Sequence, residues 1–292
     1  MTENTKNTQN TQNTQNAKST QDMTVLVTGA SGRTGSRVAQ AARAAGLTVR
    51  AGSRATGFDW ADRSTWARTL DGADAAYLMY PSDIGHPDAA ESIGALAREA
   101  VAHGVRRLVL LSGRGEELAL PAEEALKASG AEWTVVRAAW FAQNFSEGPL
   151  VEGLRQGQLV FPAGEVKEPF IDVRDIADVV VTAVASGGLY VGRVLEITGP
   201  RLLSWREAVA EISEAAGRDF AYVPVSSSEY RGVLTAFGIP AGEAEHLVDV
   251  FAGLLDGRNA HVDSTVRDVL GRDPRDFSDF AREAAAAGSW KA

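Results

Sequence analysis

Residues 25–35 read VLVTGASGRTG, which is a short apolar run, a turn with three glycines and the start of a helical stretch. A strand, a glycine-rich turn and a helix in this order are typical of the first unit of a dinucleotide-binding fold. Gly29 allows the chain to turn sharply off the strand, Gly32 lets a pyrophosphate approach the backbone, and Gly35 lets the helix pack closely against the strand. The helix N-terminus then presents free amide groups and a partial positive charge to the phosphates.

The glycine turn predicts a set of cofactor contacts. An isolated match to this motif is also compatible with an ordinary tight turn, but here an apolar strand precedes it and a helical stretch follows it. We expect the following residues to surround the pyrophosphate: Gly29, Ala30, Ser31, Gly32, Arg33, Thr34 and Gly35.

The end of the second predicted strand indicates which nicotinamide cofactor is used. Residues 47–51 form this strand and lead into Ser53 and Arg54. An acidic side chain at this point would accept a hydrogen bond from the 2′-hydroxyl of NAD, whereas an arginine suits the 2′-phosphate of NADP by its charge and forked geometry. We therefore expect NADP(H), with Arg33 as a second positive contact. The alternative for Arg54 is an ordinary surface arginine on a loop.

A very short third strand is expected just before residues 58–62, which read FDWAD. In this segment we expect Asp59 and Trp60 to lie near the adenine, with Asp59 accepting a hydrogen bond from the exocyclic amine. Asp59 has an alternative role as the cap of a helix that begins near Ser64, and both roles are compatible.

Alternating strands and helices predict the fold class. Further strands are expected at residues 74–80, 105–111 and 132–138, each separated from the next by a helical stretch. This alternation predicts an α/β fold, a Rossmann-type doubly wound parallel sheet with helices on both faces. A short extended pair is expected within residues 159–171.

The chain divides into three predicted parts. Residues 1–22 repeat the letters NTQ and have few apolar side chains, so we expect a disordered tail. Residues 23–200 form the NADP-binding Rossmann domain, with some insertions of the substrate lobe after residue 145. Residues 201–292 form a smaller C-terminal α+β lobe that binds substrate.

Composition excludes several classes of site. The net charge is −9, which argues against nucleic acid or an anionic membrane as the main partner. The chain has no cysteine, so disulfides, thiolate metal sites and cysteine nucleophiles are excluded. The four histidines lack the spacing of metal ligands, and no apolar run is long enough to span a membrane. We expect a cytoplasmic protein without a metal.

The ends of the later strands complete the predicted cleft. Ligands of parallel α/β sheets bind at the carboxyl ends of the strands. Met79, Tyr80 and Pro81 end one predicted strand, and Ser112 follows the next. These residues are therefore expected to border the nicotinamide.

Several segments together resemble one family. These are TGASGRTG at 28–35, FDW at 58–60, SGAEWTVVRAAWFAQNF at 129–145 and PFIDVRDIADV at 169–179. With Arg54 and Ser112, they resemble the NmrA-like branch of the atypical short-chain dehydrogenase/reductases. Bacterial relatives of the ergot-alkaloid-type reductases and quinone reductases look most similar, and atypical polyketide ketoreductases are similar in outline.

The resemblance implies roles for the segment after the sixth predicted strand. Ala138, Ala139 and Phe141 would close over the nicotinamide. Trp140, Phe141, Gln143 and Asn144 would approach the substrate. The resemblance also implies a monomer or homodimer that acts on a small apolar or aromatic molecule.

The usual proton donor of the wider superfamily is missing. Typical members use a Tyr-x-x-x-Lys pair, but none of the five tyrosines here has a lysine four residues later. Glu124 is expected where related reductases often keep a lysine, and Lys127 lies one turn further on. Tyr80 and Ser112 remain the candidate catalytic residues, although a serine hydroxyl is a weak acid. The substrate would then need no external proton, or would supply its own.

Three functions fit these observations unequally. The first is an NADPH-dependent reductase of a ketone, quinone or iminium in an aromatic or apolar secondary metabolite. The second is a non-catalytic NADP-binding sensor or regulator of the NmrA type. The third, an epimerase or dehydratase of nucleotide-sugars, is least favoured because it normally needs the missing tyrosine.

Overall fold

The computed structural model describes residues 23–81, 83–148 and 150–291. The predicted tail at 1–22 lies outside these residues. The strands are β1 (Thr24–Thr28), β2 (Thr48–Gly52), β3 (Ala75–Leu78), β4 (Arg107–Gly113), β5 (Glu132–Ala138), β6 (Gln158–Phe161), β7 (Lys167–Glu168), β8 (Arg193–Ile197), β9 (Leu203–Ser204) and β10 (Ala221–Pro224).

Helices connect most of these strands. They are α1 (Arg33–Ala44), α2 (Trp66–Leu70), α3 (Ala89–Ala102), α4 (Leu120–Lys127), α5 (Asn144–Glu147), α6 (Leu150–Arg155), α7 (Val173–Ala185), α8 (Trp205–Ala216), α9 (Ser227–Ala236), α10 (Ala241–Leu254), α11 (Thr265–Leu270) and α12 (Phe277–Ala286). None of the helices in the described ranges is long and apolar enough to cross a membrane.

The main sheet is parallel and has six strands in the order β2, β1, β3, β4, β5, β8. After β2 the chain crosses to the other side of β1, which makes the end of β1 the topological switch point of the sheet. Helices α1, α7 and α11 cover one face, and α2, α3 and α4 cover the other. The predicted doubly wound parallel fold is confirmed.

A second apolar core lies beyond the carboxyl ends of the strands. It draws on residues 142–170 and on residues 203–290, which include α8, α9, α10 and α12. The small sheets pair β6 with β10 in parallel and β7 with β9 in antiparallel orientation. The lobe is therefore assembled from two separate stretches of the chain.

Two local expectations were wrong. No strand occurs between β2 and residue 58, since Arg54–Thr56 forms a single 3-10 turn. The extended segments β6 and β7 do not pair with each other, because each finds its partner in the C-terminal part of the chain. Long-range pairing of this kind leaves no signature in a local sequence pattern.

Candidate functional site

The glycine turn adopts the conformation that its sequence predicts. Gly29 has φ of 63°, which is the left-handed region that favours glycine. The amide of Gly32 donates to the carbonyl oxygen of Gly29 at 2.8 Å, which closes the turn. A Cβ atom on Gly35 would lie 2.9 Å from the Thr28 carbonyl oxygen and closer still to the Gly29 carbonyl. Only glycine at position 35 lets α1 approach β1 this closely.

The first turn of α1 is open to a ligand. Gly32 is the N-cap, and no side chain caps the helix. The first amides of a helix have no intrahelical acceptor, so those of Arg33, Thr34 and Gly35 are free to bind an anion. No acidic side chain lies in this turn. The first turn of α1 therefore fits a pyrophosphate. Ala30 and Ser31 lie in the glycine turn just before it.

Arg54 remains available at the end of β2. It opens the 3-10 turn Arg54–Thr56 and is exposed, and its side chain makes no hydrogen bond or ion pair within the described ranges. The amide of Ser53 donates to the Thr56 hydroxyl at 2.9 Å, so the turn is held by its own residues. This leaves the Arg54 guanidinium free to bind a phosphate.

The Arg33 side chain reaches across the cleft to Asn144. Its guanidinium donates to the side-chain oxygen of Asn144, which lies in the wall of the cavity described below. Burial lowers the pKa of Arg33, with the charge of Arg37 acting in the same direction and that of Glu147 opposing it. This hydrogen bond links the first turn of α1 to the part of the cavity where the substrate is expected, and the predicted contact of Arg33 with the 2′-phosphate stays a prediction.

Residues 58–62, where the adenine is expected to bind, are held by hydrogen bonds to neighbouring residues. The carboxylate of Asp59 accepts from the Ala61 amide at 3.0 Å. Its carbonyl accepts from the indole of Trp66 at 2.8 Å. Asp62, not Asp59, caps the following turn by accepting from the Ser64 amide at 3.0 Å, so the alternative prediction for Asp59 was wrong.

Trp60 connects residues 58–62 to Tyr80, which lies just after β3. Its ring lies edge-on to Tyr80, with centroids 5.3 Å apart. Pro81 follows on the exposed surface. Tyr80 therefore lies between the two predicted halves of the cofactor site.

A cavity of about 450 Å³ lies at the carboxyl ends of β3, β4 and β5. Its volume is in the range of sites for small organic ligands. One side is built from the first turn of α1 and the strand ends: Arg33, Thr34, Met79, Tyr80, Leu111, Ser112, Gly113, Ala138 and Ala139. The other side is mostly apolar and comes from the lobe: Trp140, Phe141, Leu150, Phe161, Tyr230, Leu234, Leu247, Val250, Phe251 and Leu254.

Trp140 and Phe141 fix the aromatic wall in different ways. Trp140 packs edge-on against Phe161 and Trp205 at centroid distances of 5.6 and 5.5 Å. Phe141 forms an isolated bridge with Ile171, which joins the β5 exit to the lobe. Trp140 therefore packs against the lobe core, and Phe141 packs against the core of the main sheet.

Two predicted substrate contacts separate in the structure. Asn144 lines the cavity. Gln143 is only 4% exposed and does not line it. The side-chain oxygen of Gln143 instead accepts from the Val173 amide at 2.9 Å at the start of α7.

Ser112 is tied to a buried ion pair. It is the penultimate residue of β4 and is only 3% exposed. Its hydroxyl donates to the Glu123 carboxylate at 2.7 Å. Arg137 donates to both oxygens of Glu123, at 2.8 and 2.7 Å. The proton of the Ser112 hydroxyl is thus already shared with an acceptor.

The residue expected at the family's lysine position points outward. The Glu124 side chain is exposed and pairs with Lys127 at 2.8 Å. Glu123, its neighbour, has a fully buried side chain. The helical period of α4 decides which of the two faces the sheet, and the sequence pattern did not resolve it.

Carboxyl groups missed by sequence reasoning also line the cavity. These are Asp83, in the loop after β3, and Glu116, in the loop after β4. Burial and the nearby charge of Asp83 raise the pKa of Glu116 to about 8. Their positions just beyond the strand ends were the available signal, since that is where ligands bind in this fold.

Known proteins place the chain in a family. No family model matches it. It is 32% identical over 260 residues to the NAD(P)H azoreductase of Xenophilus azovorans, with 86% of this chain and 88% of the azoreductase covered. The chain belongs to the NmrA-like atypical short-chain dehydrogenase/reductases. The membership expected from the motifs at 28–35, 129–145 and 169–179 is confirmed.

Two further known proteins match most of the chain. Agroclavine dehydrogenase of Claviceps fusiformis is 29% identical, with 77% of this chain and 82% of that protein covered. The NADPH-dependent quinone oxidoreductase of Escherichia coli, solved in complex with NADPH, has a TM-score of 0.72. It is 23% identical, and the match covers 89% of this chain and 99% of that structure, which supports the shared fold.

Proposed function

We propose that this protein is an NADPH-dependent reductase that delivers hydride to a ketone, a quinone or an iminium in a small aromatic or apolar metabolite. One observation carries the proposal. A single cavity joins the first turn of α1, at Arg33 and Thr34, to the aromatic wall around Trp140 and Phe251. A dinucleotide on the glycine turn and an apolar substrate on that wall would therefore meet at the strand ends.

The chain's own residues account for cofactor binding. Gly29, Gly32 and Gly35 leave the backbone free to approach the pyrophosphate, and the α1 amides supply the donors. Arg54 would hold the 2′-phosphate. When bound, the reduced nicotinamide supplies hydride. Related NAD(P)H-dependent reductases support this assignment.

The cavity walls favour an apolar substrate. Leu234, Leu247 and Leu254 face the strand ends across the cavity. Of the two tyrosines in the wall, Tyr230 has its pKa raised to about 12 by burial, which makes it a poor proton donor at neutral pH. A substrate that needs little help from tyrosine, such as a quinone or an iminium, fits this wall.

Turnover separates a reductase from a sensor. Purified protein is mixed with NADPH and a panel of quinones, aromatic ketones, azo compounds and cyclic iminium ions, and loss of absorbance at the reduced nicotinamide band is followed. Turnover on any panel member supports the reductase. Tight NADPH binding with no turnover on the whole panel supports the NmrA-type sensor instead.

Arg54→Glu should weaken NADPH binding by about 100-fold and leave NADH binding within about threefold. Hydrogen bonds to charged groups contribute about 1.5–3 kcal/mol, and the reversed charge adds repulsion of the 2′-phosphate. Isothermal titration of both cofactors measures the difference. The matched control is Arg43→Glu, an exposed arginine in the last turn of α1. Equal losses for NADPH and NADH in the Arg54 variant would remove Arg54 from the phosphate site.

A further inference from the structure

Two carboxyl groups converge at the rim of the cavity. A Cβ atom on Gly85 would lie 2.6 Å from Oε1 of Glu116 and 2.9 Å from Oδ1 of Asp83, so both groups face one backbone position. A Cβ atom on Gly113 would lie 3.0 Å from the Cβ of Glu116 and closer still to its carboxyl oxygen. Glycines at 85 and 113 thus leave room for the Glu116 carboxyl against the end of β4.

The two carboxyl groups differ in their surroundings. Asp83 accepts from the Gly85 amide at 2.8 Å, and His246 Nε2 lies 3.9 Å from the same oxygen. Oε1 of Glu116 is buried. With burial as the main cause and the Asp83 charge next, the pKa of Glu116 rises to about 8, so it is neutral at pH 7.

The other charged groups around Glu116 are accounted for. Glu123 adds to the rise in its pKa, although Arg137 pairs with that carboxylate. The guanidinium of Arg114 is held by the Asn259 carbonyl oxygen at 2.9 Å. Behind Asp83, the ring of His246 lies 6.2 Å from the ring of His86. These side chains are 27% and 43% exposed, which gives the pair a route to solvent.

We infer that Glu116 is the proton donor of the reduction and that Asp83 is its positioning residue, an inference that rests on the proposed reductase function. Hydride adds to the substrate carbon, or to one nitrogen of an azo group. The Glu116 O–H bond breaks, and a new O–H or N–H bond forms on the substrate atom that becomes negative. Glu116 is left as a carboxylate and takes a proton back from water.

In this assignment Glu116 takes the role of proton donor that the missing Tyr-Lys pair would fill. The proton of Ser112 is shared with Glu123, and Lys127 is paired with Glu124 at 2.8 Å and with Glu123 at 3.7 Å. Glu116 lies in the cavity wall at the end of the same strand as Ser112. A carboxyl group that is neutral at pH 7 and titrates near the working pH meets the requirement for a general acid.

Glu116→Gln should lower kcat by about 10²–10⁴-fold on a ketone or azo substrate, because a placed acid contributes about that factor. On an iminium substrate kcat should fall less than tenfold, since hydride alone completes that reduction. NADPH affinity should stay within about threefold. The matched control is Glu117→Gln, which removes an exposed neighbour paired with Arg258 and should keep wild-type kcat.

The pH profile distinguishes a donor from a merely structural residue. Wild-type kcat should fall above about pH 8, and Glu116→Gln should lose that decline. Asp83→Asn should move the decline to lower pH, because it removes the repulsion that keeps Glu116 protonated. Tyr80→Phe should retain the decline at its wild-type position, whereas a Tyr80 donor would lose it.

Stability gives a second readout that needs no substrate. The pKa of Glu116 is about 8 in the folded protein, against 4.5 ordinarily, so folding takes up a proton between those values. The free energy of unfolding should therefore fall as pH rises from about 5 to 8, and less steeply in Glu116→Gln. Equal slopes for the two proteins would overturn the inference.

The outcomes also separate this inference from the proposed function. Wild-type kcat in Glu116→Gln, with an active wild-type enzyme, overturns the inference and leaves the reductase standing. NADPH binding without turnover by the wild-type protein on any panel substrate overturns both.

Discussion

Gly35→Ala should weaken NADPH binding by at least 100-fold and lower the free energy of unfolding by about 1–3 kcal/mol. The added Cβ would lie 2.5 Å from the Gly29 carbonyl carbon and 2.9 Å from the Thr28 carbonyl oxygen. Both are backbone atoms of the turn, so relief requires α1 to move away from β1. The amides of the first helical turn would then leave the position at which they bind phosphate.

Cofactor titration and urea unfolding measure these two effects of Gly35→Ala. The control is Gly253→Ala near the end of α10, where no heavy atom lies within 4 Å of the added Cβ. Alanine is the better helix former, so this control should gain about 0.5–1 kcal/mol and bind NADPH normally. Normal affinity in Gly35→Ala would mean that α1 does not need this close approach to bind the cofactor.

Arg137→Leu should lower the free energy of unfolding by about 3–5 kcal/mol at pH 7. It would leave the fully buried Glu123 carboxylate without the two hydrogen bonds, at 2.8 and 2.7 Å, that now compensate its charge. The Ser112 hydroxyl would remain as a hydrogen-bond donor to it, and Lys127 as an ion-pair partner at 3.7 Å. The end of β4, which forms the cavity wall, depends on this pair.

Urea unfolding also tests the cause of the Arg137 effect. Arg137→Leu combined with Glu123→Leu should recover most of the lost stability, because no uncompensated charge remains. As a control, Arg267→Leu breaks an exposed pair with Asp273 and should cost about 0–1 kcal/mol. A loss below about 1 kcal/mol for Arg137→Leu would show that Glu123 can be solvated in place.

The fold could be predicted from the sequence because its signals lie in short stretches of the chain. The turn at 28–35 contains both the backbone conformations and the close packing that its glycines allow, and each acts over a few residues. The alternation of strands and helices along the chain likewise predicts a parallel sheet covered by helices. The position of Arg54 could be predicted for the same reason, since it lies two residues after β2.

Side-chain direction at the site was less accessible. The sequence put Ser112 at the end of a strand but did not reveal that its hydroxyl faces Glu123. It put Gln143 beside Asn144, yet one caps the start of α7 and the other lines the cavity. Neighbours in sequence point to opposite sides of a turn, and which side is buried depends on elements far along the chain.

The sequence by itself determined the glycine turn, the parallel sheet, the family and the place where a dinucleotide would bind, because these follow from residues close together in the chain. Only the tertiary structure decided the aromatic wall, the ion pair of Glu123 with Arg137, and the meeting of Asp83, Glu116 and His246. Those three residues come from separate loops and from α10. The pKa of Glu116 depends on burial and on charges that folding brings together, so no local stretch of sequence reveals it.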